Sequence, residues 1–434
     1  MRTREDIFKG LLQKFESSSI FQKLYGRDSS VFEYQIDRYT DIITGYYQQY
    51  SDGEIHLIST PGRTEISGNH TDHNHGRVLA ASVNLDSIAA VAKSEKSKIS
   101  LYSEAYKRKS EIDLNDLSFK KSEQGTTTAI IRGIAARFKE LNYKIGGFNA
   151  FVSSEVMVGS GLSSSASIEV LIGTILNYLF NDGKISPFEI AKIGQYAENV
   201  YFGKPCGLMD QIACAVGGIV MIDFENPSNP QVKKVAFNFE DKHYRLLVVD
   251  TGGNHADLTE DYASIPAEMK ALAKALGKEY AREISHQELI NNFSSLRKKV
   301  GDRSILRGYH FIRENERVLR QVEALERDDF TTFLELVNAS GNSSNKWLQN
   351  CYSIKNVTEQ GVNLALAVTE EFLEKIGKGA CRVHGGGFAG TIQTFIPESN
   401  VDEYQRFMEN IFGAGSVKVL NIRQIGTTFL GSGF

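Results

Sequence analysis

The stretch "VMVGSGLSSSASIEVLIGTILNYLF", residues 156–180, decides how this chain is read. Upstream of it, "FNAFVSSEVMV" carries the β-branched and aromatic residues of a strand. Downstream, Ile168, Leu171, Ile172, Ile175, Leu176 and Leu179 recur at helical spacing. Gly159, Ser160, Gly161, Leu162, Ser163, Ser164 and Ser165 therefore connect a strand to a helix. The first N–H groups of a helix lack internal partners and carry partial positive charge. Glycine lets a ligand approach the backbone closely. Serine hydroxyls bond phosphate oxygens or ligate Mg2+. The stretch suits a phosphate cradle, although no Gly-Lys-Ser/Thr follows the glycines as in a P-loop. A Gly/Ser turn with a capping serine is the simpler alternative.

Composition sets the frame. The chain has 434 residues, enough for two domains with sizeable cores. A net charge of −4 gives no electrostatic reason to expect a nucleic-acid partner. No apolar run reaches the length of a membrane span, and "MRTREDIFKGLLQKF" lacks a signal-peptide core. Cys206, Cys214, Cys351 and Cys381 form no metal-type pair and are too few for a disulfide framework, which points to a reducing cytoplasm.

Residues 1–50 read as helices, broken near "YGRDSS". "EIHLIST" reads as a strand, "PGRTEISGNHTDHNHGR" as turns, and "VLAASVNLDSIAAVAKS" as a strand. "TTTAIIRGIAARFKELNY" is an amphipathic helix. "SPFEIAKIGQYAENVYFG" is a helix capped by Ser186, with Pro187 first and Glu189 completing a capping box. "GGIVMIDF" and "YRLLVVDT" are buried strands, and residues 255–375 are mostly helical. A strand–glycine–strand unit, "ACRVHGGGFAGTIQTFI", precedes the helix "VDEYQRFMENIF" and a strand around "GSVKVLNI". Helices and strands interleave without the beat of a doubly wound sheet, so the expected class is α+β. The boundary between domains 1–240 and 241–434 is expected near 220–245.

Four segments bear glycines or acids: "PGRTEISGNHTDHNHG", "VMVGSGLSSSAS", "FGKPCGLMDQ" and "VHGGGFAGT". Together they resemble the small-molecule kinases that include galactokinase, homoserine kinase, mevalonate kinase and phosphomevalonate kinase. Within that superfamily the chain is most similar to galactokinase. Its signature resembles Gly-Arg-x-x-x-x-Gly-x-His-Thr-Asp, present from Gly62 to Asp72. The resemblance runs from about residue 50 to 430 and rests on three ordered motifs. It implies an N-terminal ribosomal-protein-S5-like α+β domain, a C-terminal ferredoxin-like α+β domain, and an active site between them.

The resemblance also implies roles. The loop 159–165 holds ATP. Ser165 and Glu198 share Mg2+; a solvated helix glutamate is the other reading of Glu198. Asp210 faces the sugar C1 hydroxyl as catalytic base, with Arg63 beside it; a helix-start aspartate without catalytic consequence is the alternative. Arginine there keeps the aspartate ionised and stabilises charge on the phosphoryl group. Asn69, His70, Thr71 and Asp72 hold the sugar, with Gly207 in the acidic motif. The similar kinases carry Glu-His-Thr-Asp here and a tyrosine next; this chain has Asn69 and His73. Tyr262 resembles a sugar-contacting tyrosine, although the arginine pair that usually follows is missing, and a core tyrosine competes. "GGGFAG", residues 385–390, resembles the third glycine motif; a tight hairpin is the alternative. The histidines of "NHTDHNH" offer zinc ligands, but no cysteine joins them and a hydrogen-bonding turn for a polyol fits better.

The expected function is an ATP-dependent kinase that converts galactose to its 1-phosphate. Two alternatives stand beside it. One is a kinase for a modified galactose such as galacturonate, suggested by Asn69. The other is a non-catalytic galactose and ATP sensor, against which the whole "GLSSSAS" loop and Asp210 count.

Overall fold

A computed structural model describes residues 3–433 apart from 17, 27–28, 51–52, 157–160 and 254–257. Gly159 and Ser160 of the expected cradle lie outside the described residues. Twelve strands form two sheets among the described residues. The first sheet holds β1 (His56–Ser67), β2 (Arg77–Lys93), β3 (Lys98–Ser103), β4 (Arg108–Asp113), β5 (Phe148–Ser154), β6 (Ile219–Asp223) and β7 (Gln231–Val235). The second holds β8 (Tyr244–Asp250), β9 (Ala380–His384), β10 (Thr391–Pro397) and β11 (Val417–Leu420). The last strand, β12 (Thr428–Ser432), returns to the first sheet and pairs antiparallel with β1.

The strand period of two sorts the first sheet into two faces. Ile58, Ala89 and Val91 face a core built with helices Thr127–Glu140, Ser164–Phe180 and Met209–Val216. Their neighbours Leu57, Ile88, Ala90 and Ala92 face the N-terminal helices Arg4–Glu16, Ser19–Tyr25 and Ser29–Tyr50. Helices thus cover both faces. A buried polar knot fastens the N-terminal layer. Asp86 Oδ2 accepts from Tyr25 Oη at 2.6 Å and Ser59 Oγ at 2.5 Å, and the arginines Arg38 and Arg423 lie at 2.9 and 3.2 Å from its carboxylate.

In the second sheet the order is β11-β8-β10-β9, all antiparallel. Chain order is strand, helices, two strands, helix Val401–Phe412, strand. Numbering these strands one to four gives the spatial order 4-1-3-2 of a ferredoxin-like unit. The α+β expectation and its ferredoxin-like half agree with this topology.

Some local expectations need correction. "PGRTEIS" is not turn but the second half of β1, because register shifts at Pro61/Arg63 and Glu65/Ser67 absorb the proline and let pairing continue. β3, β4, β7 and β12 were not foreseen; each is only five or six residues long, too short for its alternation to stand out. Ser186 caps its helix by accepting from Glu189 N at 3.2 Å. The Glu189 carboxylate pairs with Lys192 at 2.7 Å instead of completing the box.

Candidate active site

Arg63 leaves β1 beside the N-terminus of helix Met209–Val216. Its Nε and Nη2 donate to Asp210 Oδ1 and Oδ2 at 2.6 and 2.7 Å. This fork-on-fork geometry is the strong form of a charged hydrogen bond. Nη1 donates to Gly161 O, and the Arg63 backbone N–H to Leu162 O at 3.0 Å. One guanidinium therefore ties β1, the glycine loop and the Asp210 helix together. Ser163 Oγ donates to Asp210 Oδ2 as well. Burial pushes the Asp210 carboxyl up, but the Arg63 charge, the Arg63 bonds and the Ser163 bond outweigh it and hold the group below its ordinary value.

The loop departs from expectation in two places. Ser163, in the left-handed region at φ 60°, spends its hydroxyl on Asp210 and does not cap the helix. Leu162 is a core residue, 1% exposed, so its side chain anchors the loop and offers nothing to a nucleotide. Gly161, Ser164 and Ser165 remain on the partly exposed rim at the helix start.

The turn after β1 divides by role. Asp72 Oδ1 accepts from the His73 N–H at 2.9 Å. Its Oδ2 faces Gly207: a Cβ there would lie 2.5 Å away, so any side chain at 207 displaces the Asp72 carboxylate. His70 meets Gly386 O through Nε2 at 2.8 Å, and burial pushes its imidazole down to about 4, so it is neutral at pH 7. Tyr262 Oη donates to Gly387 O at 2.8 Å and its ring lies against Gly386. The third glycine motif is a β9–β10 hairpin that covers the turn.

Two expected sugar ligands are corrected. Thr71 is fully buried, and its hydroxyl bonds Gly68 O and Arg77 O at 2.8 and 2.6 Å; it closes the turn. Asn69 is 1% exposed. Its Nδ2 donates to Glu65 Oε1 at 2.8 Å and Gly385 O at 2.6 Å, and its Oδ1 accepts from Asn350 Nδ2 at 2.6 Å and Ser344 Oγ at 3.4 Å. An amide has two donors and two acceptor positions, so Asn69 has none left for a sugar hydroxyl. The three histidines of the turn also diverge: His75 stacks on Tyr280 at 3.7 Å, His73 lies 3.5 Å from Asp72, and His70 holds Gly386. Among the described residues no three His, Cys, Asp or Glu side chains gather as a metal site.

A hydroxyl-and-carboxylate site for Mg2+ is a separate matter. Ser165 sits in the first turn of its helix, and Glu169 stands one turn further on the same face. Gln211 Nε2 bridges Glu169 Oε2 at 2.9 Å and Glu198 Oε2 at 3.1 Å. Glu169 Oε1 and Gln211 Oε1 are buried and have no hydrogen-bond partner among the described residues. Glu198 is 2% exposed and lies on a π-helical segment, Ala197–Phe202, with Lys204 Nζ 3.3 Å from Oε1. The spare oxygens here belong to Glu169 and Gln211, next to Glu198, and hard oxygen donors of this kind suit Mg2+.

Glu65, Asn350, His310 and Glu314 were missed in the sequence. His310 Nε2 meets Asn69 O at 3.0 Å, and Glu314 Oε1 accepts from Ser67 Oγ at 2.9 Å and Gly68 N at 3.0 Å. Both come from helix Gly301–Glu326, about 240 residues away in sequence. Only Glu65 stood inside a quoted motif.

Two sheets with a glycine loop aimed at a bidentate Arg–Asp pair define a small-molecule kinase, and residues 129–218 match the model described as GHMP kinases N terminal domain. Residues 44–93 match the galactokinase galactose-binding signature. A galactokinase of Glaesserella parasuis is 30% identical over 375 residues, covering 84% of this chain and 91% of the relative. One from Clostridium tetani is 29% identical over 366 residues, covering 83% and 89%. The chain belongs to the galactokinase family. The crystal structure of Lactococcus lactis galactokinase complexed with galactose matches with a TM-score of 0.77 at 25% identity, covering 91% of this chain and all of that one. The mevalonate kinase of Methanococcus jannaschii shares the fold, with a TM-score of 0.57 at 16% identity and coverage of 84% and 98%.

Proposed function

We propose that this protein is a galactokinase: an ATP-dependent kinase that phosphorylates the C1 hydroxyl of galactose. The observation that carries the reading is the Arg63–Asp210 fork packed against the glycine loop through Gly161 O and Ser163 Oγ. It puts an ionised carboxylate beside the segment that would hold the phosphates. Asp210 offers four acceptor positions and spends three inside the protein. The fourth suits the reacting hydroxyl. Because the carboxylate is a weak base, it orients the hydroxyl and takes its proton late, which a loose phosphoryl-transfer transition state permits. Arg63 stabilises the charge that develops on the transferring group.

Asp72, beside Gly207, is the second carboxylate for sugar hydroxyls. His70 and Tyr262 seat the 385–390 hairpin over the turn. ATP lies along Gly161, Ser164 and Ser165 in this reading. Ser165 and Glu198, braced by Gln211, hold Mg2+, which neutralises phosphate charge when bound. We further divide the chain near residue 240, with β12 crossing back to the first domain. Four unpaired thiols support a reducing cytoplasm. The galacturonate alternative rested on Asn69, whose amide is spent within the protein. A coupled ADP-release assay over galactose, galacturonate, N-acetylgalactosamine, glucose and arabinose tests the proposal. Galactose should give the highest kcat/KM; no turnover on it would overturn the reading.

A further inference from the structure

Glu65 stands two residues after Arg63 on β1. The pairs Arg63↔Ser82, Thr64↔Ala81 and Glu65↔Ala80 run without a register shift, so both side chains leave the same face of the strand. That face carries Arg63 to the catalytic pair. The Glu65 side chain is 8% exposed. Its Oε1 is occupied by Asn69 Nδ2 at 2.8 Å and Arg382 Nη2 at 3.4 Å. Among the described residues no hydrogen bond reaches its Oε2. The neighbouring Asn69 is saturated, so of that bonded pair it is Glu65 that holds a spare acceptor.

We infer that Glu65 is a sugar-binding residue: its Oε2 accepts a hydrogen bond from one galactose hydroxyl other than C1, while Asn69 fixes Oε1. The inference rests on the galactose reading above. A carboxylate oxygen beside a polyol site with no hydrogen bond among the described residues is free to accept one from a hydroxyl. A sugar hydroxyl supplies one and receives a charge-assisted bond in return. Asn69 is then a positioning residue that orients the carboxylate without touching substrate.

The charges around Glu65 give the inference a signature. Burial pushes its carboxyl up to about 7, against the pull of Arg382 on β9, the Asn69 bond and Arg63 on its own strand; Asp72 of the turn pushes the same way as burial. Burial drives His70 down to about 4 and His384 on β9 to about 3, away from that range, and lowers His310 on the bracing helix. Glu314, on that helix with Arg317, is ionised from about 2 upward. The turn's other histidines are His73, exposed beside Asp72, and His75, stacked on Tyr280, whose imidazole burial lowers. A hydroxyl bonds the ionised carboxylate better than the neutral acid. Galactose affinity should therefore rise with pH as Glu65 ionises.

The test is calorimetric binding of galactose and its 2-, 3-, 4- and 6-deoxy analogues to the full chain between pH 6 and pH 8. Galactose affinity should rise by up to about tenfold over that range, the span in which a group titrating near 7 ionises. One analogue, lacking the hydroxyl that meets Oε2, should bind with flat pH dependence. Glu65→Gln should be flat for every sugar, whereas His73→Gln should keep the slope. If Glu65→Gln fails to fold, the analogue series on the wild-type chain decides alone. A slope shared by all analogues, or no slope at all with galactose, overturns the inference and leaves the galactose reading standing. Absence of galactose binding at any pH overturns both.

Discussion

Arg63 and Asp210, 147 positions apart, share two hydrogen bonds of 2.6 and 2.7 Å. Replacing Asp210 by Asn keeps the shape and removes the charge that orients the nucleophile. The expected loss in kcat is about 10²–10⁴-fold, with galactose binding by calorimetry largely kept. Near-wild-type turnover would exclude Asp210 from the chemistry.

Arg63→Lys trades a planar fork for a point charge. One charged hydrogen bond, worth about 1.5–3 kcal/mol, is lost, so kcat/KM should fall about ten- to a hundredfold. The pH profile carries a sharper signal. With its partner weakened, burial is less opposed and the Asp210 carboxyl titrates higher. The acid limb of kcat should move to higher pH. An unmoved limb would mean that Asp210 ionisation does not govern the rate.

Gly207→Ala places a methyl 2.5 Å from Asp72 Oδ2. Asp72 must swing, and the sugar loses its second carboxylate. KM for galactose should rise about tenfold, equivalent to 1.4 kcal/mol, with the thermal midpoint little changed. An unaltered KM would remove Asp72 from the sugar site.

Ser165→Ala combined with Glu198→Gln removes two oxygen donors from a hard cation. Activity plotted against free Mg2+ should shift to much higher concentration, while sugar binding without nucleotide stays put. Superimposed curves would show that the cation is held elsewhere.

Glu314 predicts an acid-stability effect. Burial pushes its carboxyl up, but Arg317, His310, Arg382 and the Ser340 bond win and bring it down to about 2. In the unfolded chain a glutamate titrates near 4.3, roughly. Its contribution to stability is thus fully present above that value and lost as pH falls toward 2. Glu314→Gln should be less stable at pH 7, and its stability should fall less between pH 5 and pH 2. Urea melts at both ends of the range measure this; parallel loss in mutant and parent would be the contrary result.

What could be read in the sequence was local. The helix from 164 to 180 announces itself by its apolar period, and the cap at Ser186 by its neighbours. Arg63, Asp72, Gly207 and Asp210 come together as their motifs suggest. β1 hid its second half because Pro61 and Gly62 are turn residues, and only the pairing with β2 shows that bulges absorb them. Asn69 misled for a related reason. Its place in the turn suggests a ligand, but three of the four groups that occupy its amide arrive from Gly385, Ser344 and Asn350, more than 270 positions downstream. Burial of a polar group is a property of the assembled fold, and no spacing rule carries it.

β12 has a consequence for the order of events during synthesis. The strand bearing Arg63 and Glu65 is bounded on one side by β2 and on the other by residues 428–432. Arg423, which reaches Ser59 and Asp86, is made almost as late. A nascent chain of some 400 residues therefore displays an open strand edge next to its future site, the kind of edge that invites pairing with another chain. A ribosome that stalls before residue 428 holds a sticky intermediate, so translation of residues 428–432 and chaperone cover for that edge are coupled in time.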